Sequence, residues 1–178
     1  MRNEIKGLFP ELEQIRDAGL REKVIDVWED TIRTGGWEPR ELLDIPFTLL
    51  AGDIEMQFIE HVRSCAKMCI AIEKVLGEVF GDRVPVNHDH LVAGALLADV
   101  GKLLEYDKDA QGHVIKGSFG QMLRHPFSGV ALCYKHEIPA EVMHIVATHS
   151  HEGDRVQRSI ESIVFHHADF TDFELVGG

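Results

Sequence analysis

The chain has 178 residues, a formal net charge of −12 at neutral pH and a hydrophobic content of 44%. A chain of this length fits one domain with one sizeable core, and its hydrophobic content is ordinary for a soluble globular protein. The strong negative charge argues against a nucleic-acid backbone or an anionic membrane surface as the main partner.

We expect neither a membrane span nor an export signal. No apolar run approaches the roughly 18 residues that span a bilayer. The charged start, MRNEIKGLFPELEQ, lacks the apolar core of a secretory signal. The three cysteines, an odd number, suggest reduced thiols and a cytoplasmic protein. Cys65 and Cys69 lie four residues apart on an apolar face, so we interpret them as small core residues.

The first part of the chain predicts a helical extension. Apolar residues recur at helical spacing over residues 3–18 and, more clearly, over residues 20–34, where Gly35 and Gly36 end the pattern. A short helix is expected after Pro39. The predicted organisation is a single domain over residues 1–178, with the extension over residues 1–50 and the core over residues 51–178.

Two core helices are predicted next. Residues 54–79 carry apolar side chains at steps of three and four, which indicates a long helix, and His61 borders its buried face. The segment LVAGALLADVGK begins at Leu91 and is almost wholly apolar up to Asp99. It predicts a buried helix that has Asp89 as its N-cap and ends near Gly101.

The last third of the chain predicts one long loop and three helices. Residues 105–121 contain three glycines and mixed charge, which is typical of a loop. Helices are expected from Pro126 to about His136, from Pro139 onward, and over residues 155–172. Because we find no convincing two-residue alternation, the predicted fold class is all-α, a bundle of five or more packed helices.

Asp99 is central to the functional prediction. A carboxylate at the end of a buried helix is costly unless a cation meets it, and the chain contains 11 histidines that can help to hold a metal ion. Each residue also has a plainer interpretation. Asp99 can pair with Lys102 three positions on, and a single histidine is more often hydrogen-bonded in the core or exposed.

The joint pattern favours a metal site. Several histidines and carboxylates lie on or beside separate predicted helices, next to apolar neighbours, and helix bundles build metal sites from side chains that face inward. Such mixed ligands suit Mn, Fe, Ni, Co or Zn, and Mg where carboxylates and water dominate. The expected ligands of the divalent ion are His61, Asp99, His125, His149 and Asp169.

These residues resemble the HD-domain superfamily of metal-dependent phosphohydrolases, over about residues 55–172. The family pattern is an isolated His, a His-Asp pair, one or two further His and a distant Asp. The matching positions are His61, Asp99 in ALLADVGK, His125 in RHPFSG, His149 in ATHSHEGD and Asp169 in HHADF. The chain departs from the pattern at one position, because Ala98 stands where the family has the His of the pair.

The resemblance implies two possible metal positions that share Asp99. One takes His61 and Asp169 and lacks the paired histidine, so that water would fill the gap. The other takes His125 and His149, and none of its expected ligands is replaced in this chain.

Nearby residues are weaker candidates for the site. His151 is expected close to the metal, and His166 or His167 less so, because a histidine at a new position is more often beside the ligands or on the surface than a ligand. Lys102 can reach a substrate phosphate and is, with Asp99, a candidate catalytic residue. Its plainer interpretation is a surface lysine at a helix end.

The resemblance implies a hydrolase that cleaves a phosphomonoester or nucleotide by means of metal-activated water. The expected partner is thus a small phosphorylated substrate. Two alternatives stay open. One is a non-hydrolytic enzyme that uses a di-iron pair for oxygen chemistry on the same scaffold. The other is a degenerate module, metal-binding or metal-free, that lost catalysis with the paired histidine.

Overall fold

The computed structural model describes residues 1–50 and 55–176, which fold into an all-α bundle with one small hairpin. The α-helices are α1 (Arg2–Leu8), α2 (Ala18–Gly35), α3 (Phe58–Phe80), α4 (His88–Leu97), α5 (Lys102–Glu105), α6 (Ser118–Met122), α7 (His125–Lys135), α8 (Ala140–Thr148) and α9 (Ile160–Leu175). The strands are β1 (Tyr106–Lys108) and β2 (Val114–Lys116). Short 3-10 helices span Pro10–Gln14, Pro39–Leu43, Gly81–Arg83 and His151–Gly153. The all-α prediction is therefore confirmed.

Helix α4 lies at the centre of the bundle. All its residues from Leu91 to Leu97 are buried, and it packs against α2, α3, α8 and α9. A helix that is apolar on every side is stable only inside other helices. Gly94 permits the close approach of α8, because a Cβ atom there would lie 2.5 Å from Cδ1 of Ile145.

The N-terminal helices are anchored on both sides of the segment that carries Asp99. The indole Nε1 of Trp28 donates to the carbonyl oxygen of Leu96 at 3.1 Å. The indole of Trp37 donates to the carbonyl oxygen of Leu103 at 2.8 Å. Two buried tryptophans thus fix the backbone before and after Asp99.

Helix α4 differs from the prediction at its start. Its N-cap is Asn87, whose side chain accepts a hydrogen bond from the backbone N–H of His90. Asp89 was predicted to have this role. Its carboxylate instead accepts the backbone N–H groups of Arg16 and Asp17, at 3.0 and 2.8 Å. The reason is tertiary, since the loop before α2 supplies donors that local spacing does not reveal.

Helix α4 also ends earlier than predicted, at Leu97 and not near Gly101. The backbone N–H of Val100 donates to the carbonyl oxygen of Leu97, and α5 begins at Lys102. Asp99 therefore lies in a tight buried turn between two helices.

The segment predicted as one long loop contains local structure. Strands β1 and β2 pair antiparallel, with Tyr106 opposite Lys116, and α6 follows. Gly112 has a φ of 86° in the connecting turn, a backbone conformation that glycine adopts readily. Strands of three residues are too short for an alternation signal, which explains the difference.

The remaining predicted helices agree closely with the structure. Helices α7 and α8 begin within one residue of the expected positions, at His125 and Ala140. Helix α9 begins at Ile160, later than expected, because the side chain of Ser159 caps it by accepting from the N–H of Ser162. The predicted long helix starts at Phe58, and its expected first residue, at position 54, lies outside the described residues. Across residues 1–50 and 55–176, no helix is both long and apolar enough to cross a membrane.

Candidate metal centre

Asp99 lies between three imidazoles. Its Oδ2 atom is 3.1 Å from Nε2 of His61, and its Oδ1 atom is 3.3 Å from Nε2 of His125 and 3.6 Å from Nε2 of His149. Oδ1 of Asp169 lies 3.1 Å from the same nitrogen of His61. All five side chains are buried. His61 lies in α3, Asp99 in the turn after α4, His125 at the start of α7, His149 directly after α8, and Asp169 in α9. The structure therefore brings the five expected ligands together, while their role as ligands stays a prediction.

Two of the imidazoles are held so that Nε2 faces Asp99. Nδ1 of His149 donates to the carbonyl oxygen of Val146 at 2.8 Å, so the neutral ring has its lone pair on Nε2. Nδ1 of His125 lies 2.7 Å from Oε2 of Glu105, which also accepts the backbone N–H of His125. Metal-ligating histidines are commonly held by such contacts on the other ring nitrogen.

Charge at these groups follows from burial and from their partners. Burial lowers the pKa of His125, which keeps its ring neutral near pH 7. Burial opposes ionisation of Glu105, but the hydrogen bonds to His125 outweigh it and lower the pKa of Glu105 to about 2. Burial likewise opposes protonation of His149, yet the adjacent Asp99 carboxylate raises the pKa of that imidazole.

His61 is held by a residue that the sequence did not single out. Its Nδ1 lies 3.1 Å from Oδ2 of Asp172, and the hydroxyl of Ser64 donates to the other carboxylate oxygen at 3.2 Å. The ring of Phe47 stacks on the imidazole at a centroid distance of 3.5 Å. Helical spacing offered a signal, since Asp169 and Asp172 are three residues apart on one face of α9.

Glu105 is the second residue that the sequence did not reveal. It ends α5 and lies 20 residues before His125 in the chain. No local pattern predicts the contact, because only the packing of α5 against α7 brings the two side chains together.

When both imidazoles are neutral, Oδ1 of Asp99 and the Nε2 atoms of His125 and His149 form a group of three acceptors. Their separations are 3.3, 3.6 and 3.3 Å. Oδ1 of Asp99 is buried and has no hydrogen-bond partner among the described residues. Ligands at 2.0–2.2 Å from a tetrahedral divalent ion lie about 3.3–3.6 Å apart. The group therefore fits a metal ion, which would satisfy all three atoms.

The second group consists of His61, Asp99 and Asp169, whose ligand atoms lie within 4.8 Å of one another. The Asp99 oxygen that faces His61 is Oδ2. It already has a cationic partner, because Nζ of Lys102 lies 3.0 Å away. Burial opposes ionisation of Asp99, but Lys102 and the nearby histidines hold the pKa of the carboxyl well below its usual range.

Cys65 contacts His61 and Asp172. Its Sγ atom lies 3.7 Å from Nδ1 of His61 and 3.8 Å from Oδ2 of Asp172. Burial raises the pKa of this thiol to about 11, so it is protonated at neutral pH. Cys65 also packs within the hydrophobic core, as expected of a small buried residue.

The weaker candidates belong to neither group of possible ligand atoms, although His151 lines the same cavity as Asp99. The side chain of His151 is 71% exposed, and its Nδ1 contacts Asp154 at 3.2 Å. Nδ1 of His166 lies 2.6 Å from the carbonyl oxygen of His149, and His167 is exposed. The structure therefore brings none of these imidazoles into either group.

A cavity of about 310 Å³ opens onto the centre. Asp99, His125, His149 and Asp169 lie at its base, and Lys102 forms part of its wall. Its lining also includes aliphatic and acidic side chains together with aromatic rings and cationic groups, the last two being Phe47, Tyr106, Phe170, Phe173, Lys116 and Arg124. A cavity of this size accepts a small ligand with both an apolar and an anionic part.

Residues 58–173 match the family model of the HD domain, which covers more than half of the chain. The chain belongs to the HD domain family. It is also similar to the dihydroneopterin 2',3'-cyclic phosphate phosphodiesterase of Methanocaldococcus jannaschii, with 33% identity over 174 residues, covering 92% of this chain and 66% of that relative. The chain thus spans slightly less than two thirds of the relative's length. No solved structure matches the chain.

Proposed function

We propose that this HD domain protein is a metal-dependent phosphohydrolase that cleaves an ester bond of a small phosphorylated substrate. The observation that carries the proposal is the buried Oδ1 atom of Asp99, which has no donor among the described residues and faces Nε2 of His125 and of His149. A divalent ion, when bound, supplies an acidified water molecule and polarises a phosphoryl oxygen.

The residues of the chain have separate roles in this reaction. Asp99, His125 and His149 hold the ion, and Glu105 orients His125 through its Nδ1 atom. The ammonium of Lys102 lies at the cavity wall, where it attracts a phosphoryl oxygen of the substrate. Because the chain carries a net charge of −12, these local positive charges are what bring an anion to the cavity.

The rim and walls of the cavity favour an organic phosphate over inorganic phosphate. Arg124 and Lys116 add positive charge at the rim, paired at present with Glu152 and Glu105. The aromatic rings of the wall can stack on a flat substrate group. The relative from Methanocaldococcus jannaschii is named for a cyclic phosphodiester, so cyclic 2',3'-phosphates are the first substrates to test beside phosphomonoesters and nucleotides.

We also propose that Ala98 occupies the position of the paired histidine. Ala98 directly precedes Asp99 and is fully buried, so its methyl group offers no ligand atom to the group of His61, Asp99 and Asp169. The three cysteines are buried and unpaired among the described residues, which supports a cytoplasmic protein.

The test combines metal analysis with a substrate panel. Protein purified without added metal is assayed for metal content, then with Mn, Fe, Co, Ni, Zn and Mg against cyclic 2',3'-nucleotides, phosphomonoesters and nitrophenyl phosphodiesters. We expect metal-dependent release of a phosphomonoester or of phosphate that is lost in Asp99→Asn and retained in Asp107→Asn, a change at an exposed carboxylate. Two bound irons without hydrolysis would overturn the proposal in favour of oxygen chemistry, and absence of metal would favour a degenerate module.

A further inference from the structure

The two oxygens of Asp99 have different surroundings. Oδ1 faces the Nε2 atoms of His125 and His149 and has no hydrogen-bond partner among the described residues. Oδ2 lies 3.1 Å from Nε2 of His61 and 3.0 Å from Nζ of Lys102. One side of the carboxylate therefore needs a cation, and the other side already has one.

The Lys102 ammonium is fixed in this position by more than Asp99. Nζ donates to the carbonyl oxygen of Phe47 at 3.1 Å and lies 4.1 Å from the centroid of the Phe47 ring. The same carbonyl oxygen accepts the hydroxyl of Tyr106 at 3.2 Å. Lys102 is only 7% exposed, and a buried ammonium that left Asp99 would lose its counter-charge.

A second divalent ion would have to bind beside this ammonium. It would take the group of His61, Asp99 and Asp169, in which Oδ2 of Asp99 is the atom that Lys102 already contacts. Like charges this close repel strongly where water is excluded. Ala98 adds no compensating ligand, because its side chain is a methyl group.

We propose that the centre holds a single divalent ion on the Oδ1 side of Asp99, and that the Lys102 ammonium occupies the place of a second cation on the Oδ2 side. This inference rests on the metal centre of the proposed function and specifies its composition. The two positive charges flank one carboxylate, and both border the cavity in which the substrate phosphate would lie.

The direct test is metal stoichiometry, measured without substrate. Metal-free protein is titrated with Co²⁺ in a calorimeter, and bound metal is counted by elemental analysis after gel filtration. We expect one ion per chain in the wild type and two in Lys102→Met, which frees Oδ2 of Asp99. Lys74→Met, a change at a lysine that is 77% exposed and pairs with Glu78, should keep one ion.

Two outcomes would overturn the inference. One is a wild type that binds two ions per chain, and the other is a folded Lys102→Met variant that still binds one. If the Lys102→Met variant fails to fold, a measurement on the wild type alone still tests the inference. Wild-type protein loaded with Mn²⁺ should give the electron paramagnetic resonance spectrum of an isolated ion. A spin-coupled pair would contradict the inference.

These results are separable from those of the substrate panel. One bound ion without hydrolysis would remove the proposed activity and leave the single-ion centre in place. Hydrolysis with two bound ions would support the proposed activity and contradict the single-ion centre.

Discussion

Nδ1 of His125 lies 2.7 Å from Oε2 of Glu105, and this contact leaves Nε2 of the imidazole facing Asp99. The same carboxylate oxygen accepts the backbone N–H of His125, so it fixes both the ring and the start of α7. The two residues are 20 positions apart in the chain, yet their contact decides which ring nitrogen of His125 faces Asp99.

Glu105→Gln should weaken metal binding by about 10–100-fold, because the contact on the far side of a ligating histidine sets its orientation and basicity. The dissociation constant for Co²⁺ measures the effect. Glu41→Gln is the matched control, since Glu41 pairs with Lys108 on the surface and should leave the constant unchanged. Equal affinities in Glu105→Gln and the wild type would show that the charge of Glu105 does not tune metal binding through His125.

Asp172→Asn tests the opposite side of the centre. Its carboxylate accepts from Ser64 and contacts Nδ1 of His61, so the substitution should lower the free energy of unfolding by about 1–3 kcal/mol. Because His61 faces the Lys102 side of Asp99, affinity for the single ion should change far less than in Glu105→Gln. Urea denaturation and Co²⁺ titration measure the two effects, and a larger loss of affinity in Asp172→Asn than in Glu105→Gln would contradict the assignment.

Ala98→His should raise metal occupancy, because it adds an imidazole next to Asp99 and so adds a possible ligand to the group of His61, Asp99 and Asp169. In combination with Lys102→Met, which should already admit a second ion, the added imidazole should lower the dissociation constant of that second ion. Ala98→Leu controls for the added volume at this buried position and should bring no extra metal. Unchanged occupancy in a folded Ala98→His variant across a metal titration would mean that another group already fills the gap.

Gly101→Ala should disturb the centre through the backbone. A Cβ atom at this position would clash with the carbonyl oxygen of His125 and lie 2.9 Å from the backbone nitrogen of Gly129. Helix α7 must then shift and carry His125 with it, so thermal stability and Co²⁺ affinity should both fall. Gly7→Ala is the control, since nothing lies within 4 Å of its Cβ position in α1, and it should stabilise the protein by about 0.5–1 kcal/mol. Wild-type Co²⁺ affinity in Gly101→Ala would show that this close approach does not position His125.

The sequence predicted the main helices well and singled out candidate ligands that the structure brings together, because both leave local signals. Apolar spacing identified α2 and α3, and His61, Asp99 and His125 stand out beside apolar runs. The strands β1 and β2 left no such signal, since they are three residues long.

Several contacts that orient groups in the centre were not predicted from the sequence. Lys102 meets the carbonyl oxygen of Phe47 across 55 positions of the chain, and His61 meets Asp172 across 111. Asp99 itself was expected on a helix, but it lies in a turn whose position depends on packing around α4. Such contacts arise from tertiary structure and therefore have no local pattern.

The most direct measurement of the central claim is the metal content of the wild type and of Asp99→Ala, both purified without added metal. The account predicts close to one divalent ion per wild-type chain and loss of most of it in the variant, while Asp107→Ala, at an exposed position, keeps the wild-type content. Circular dichroism confirms that the variant is folded. Equal metal content in the wild type and in folded Asp99→Ala would contradict the account.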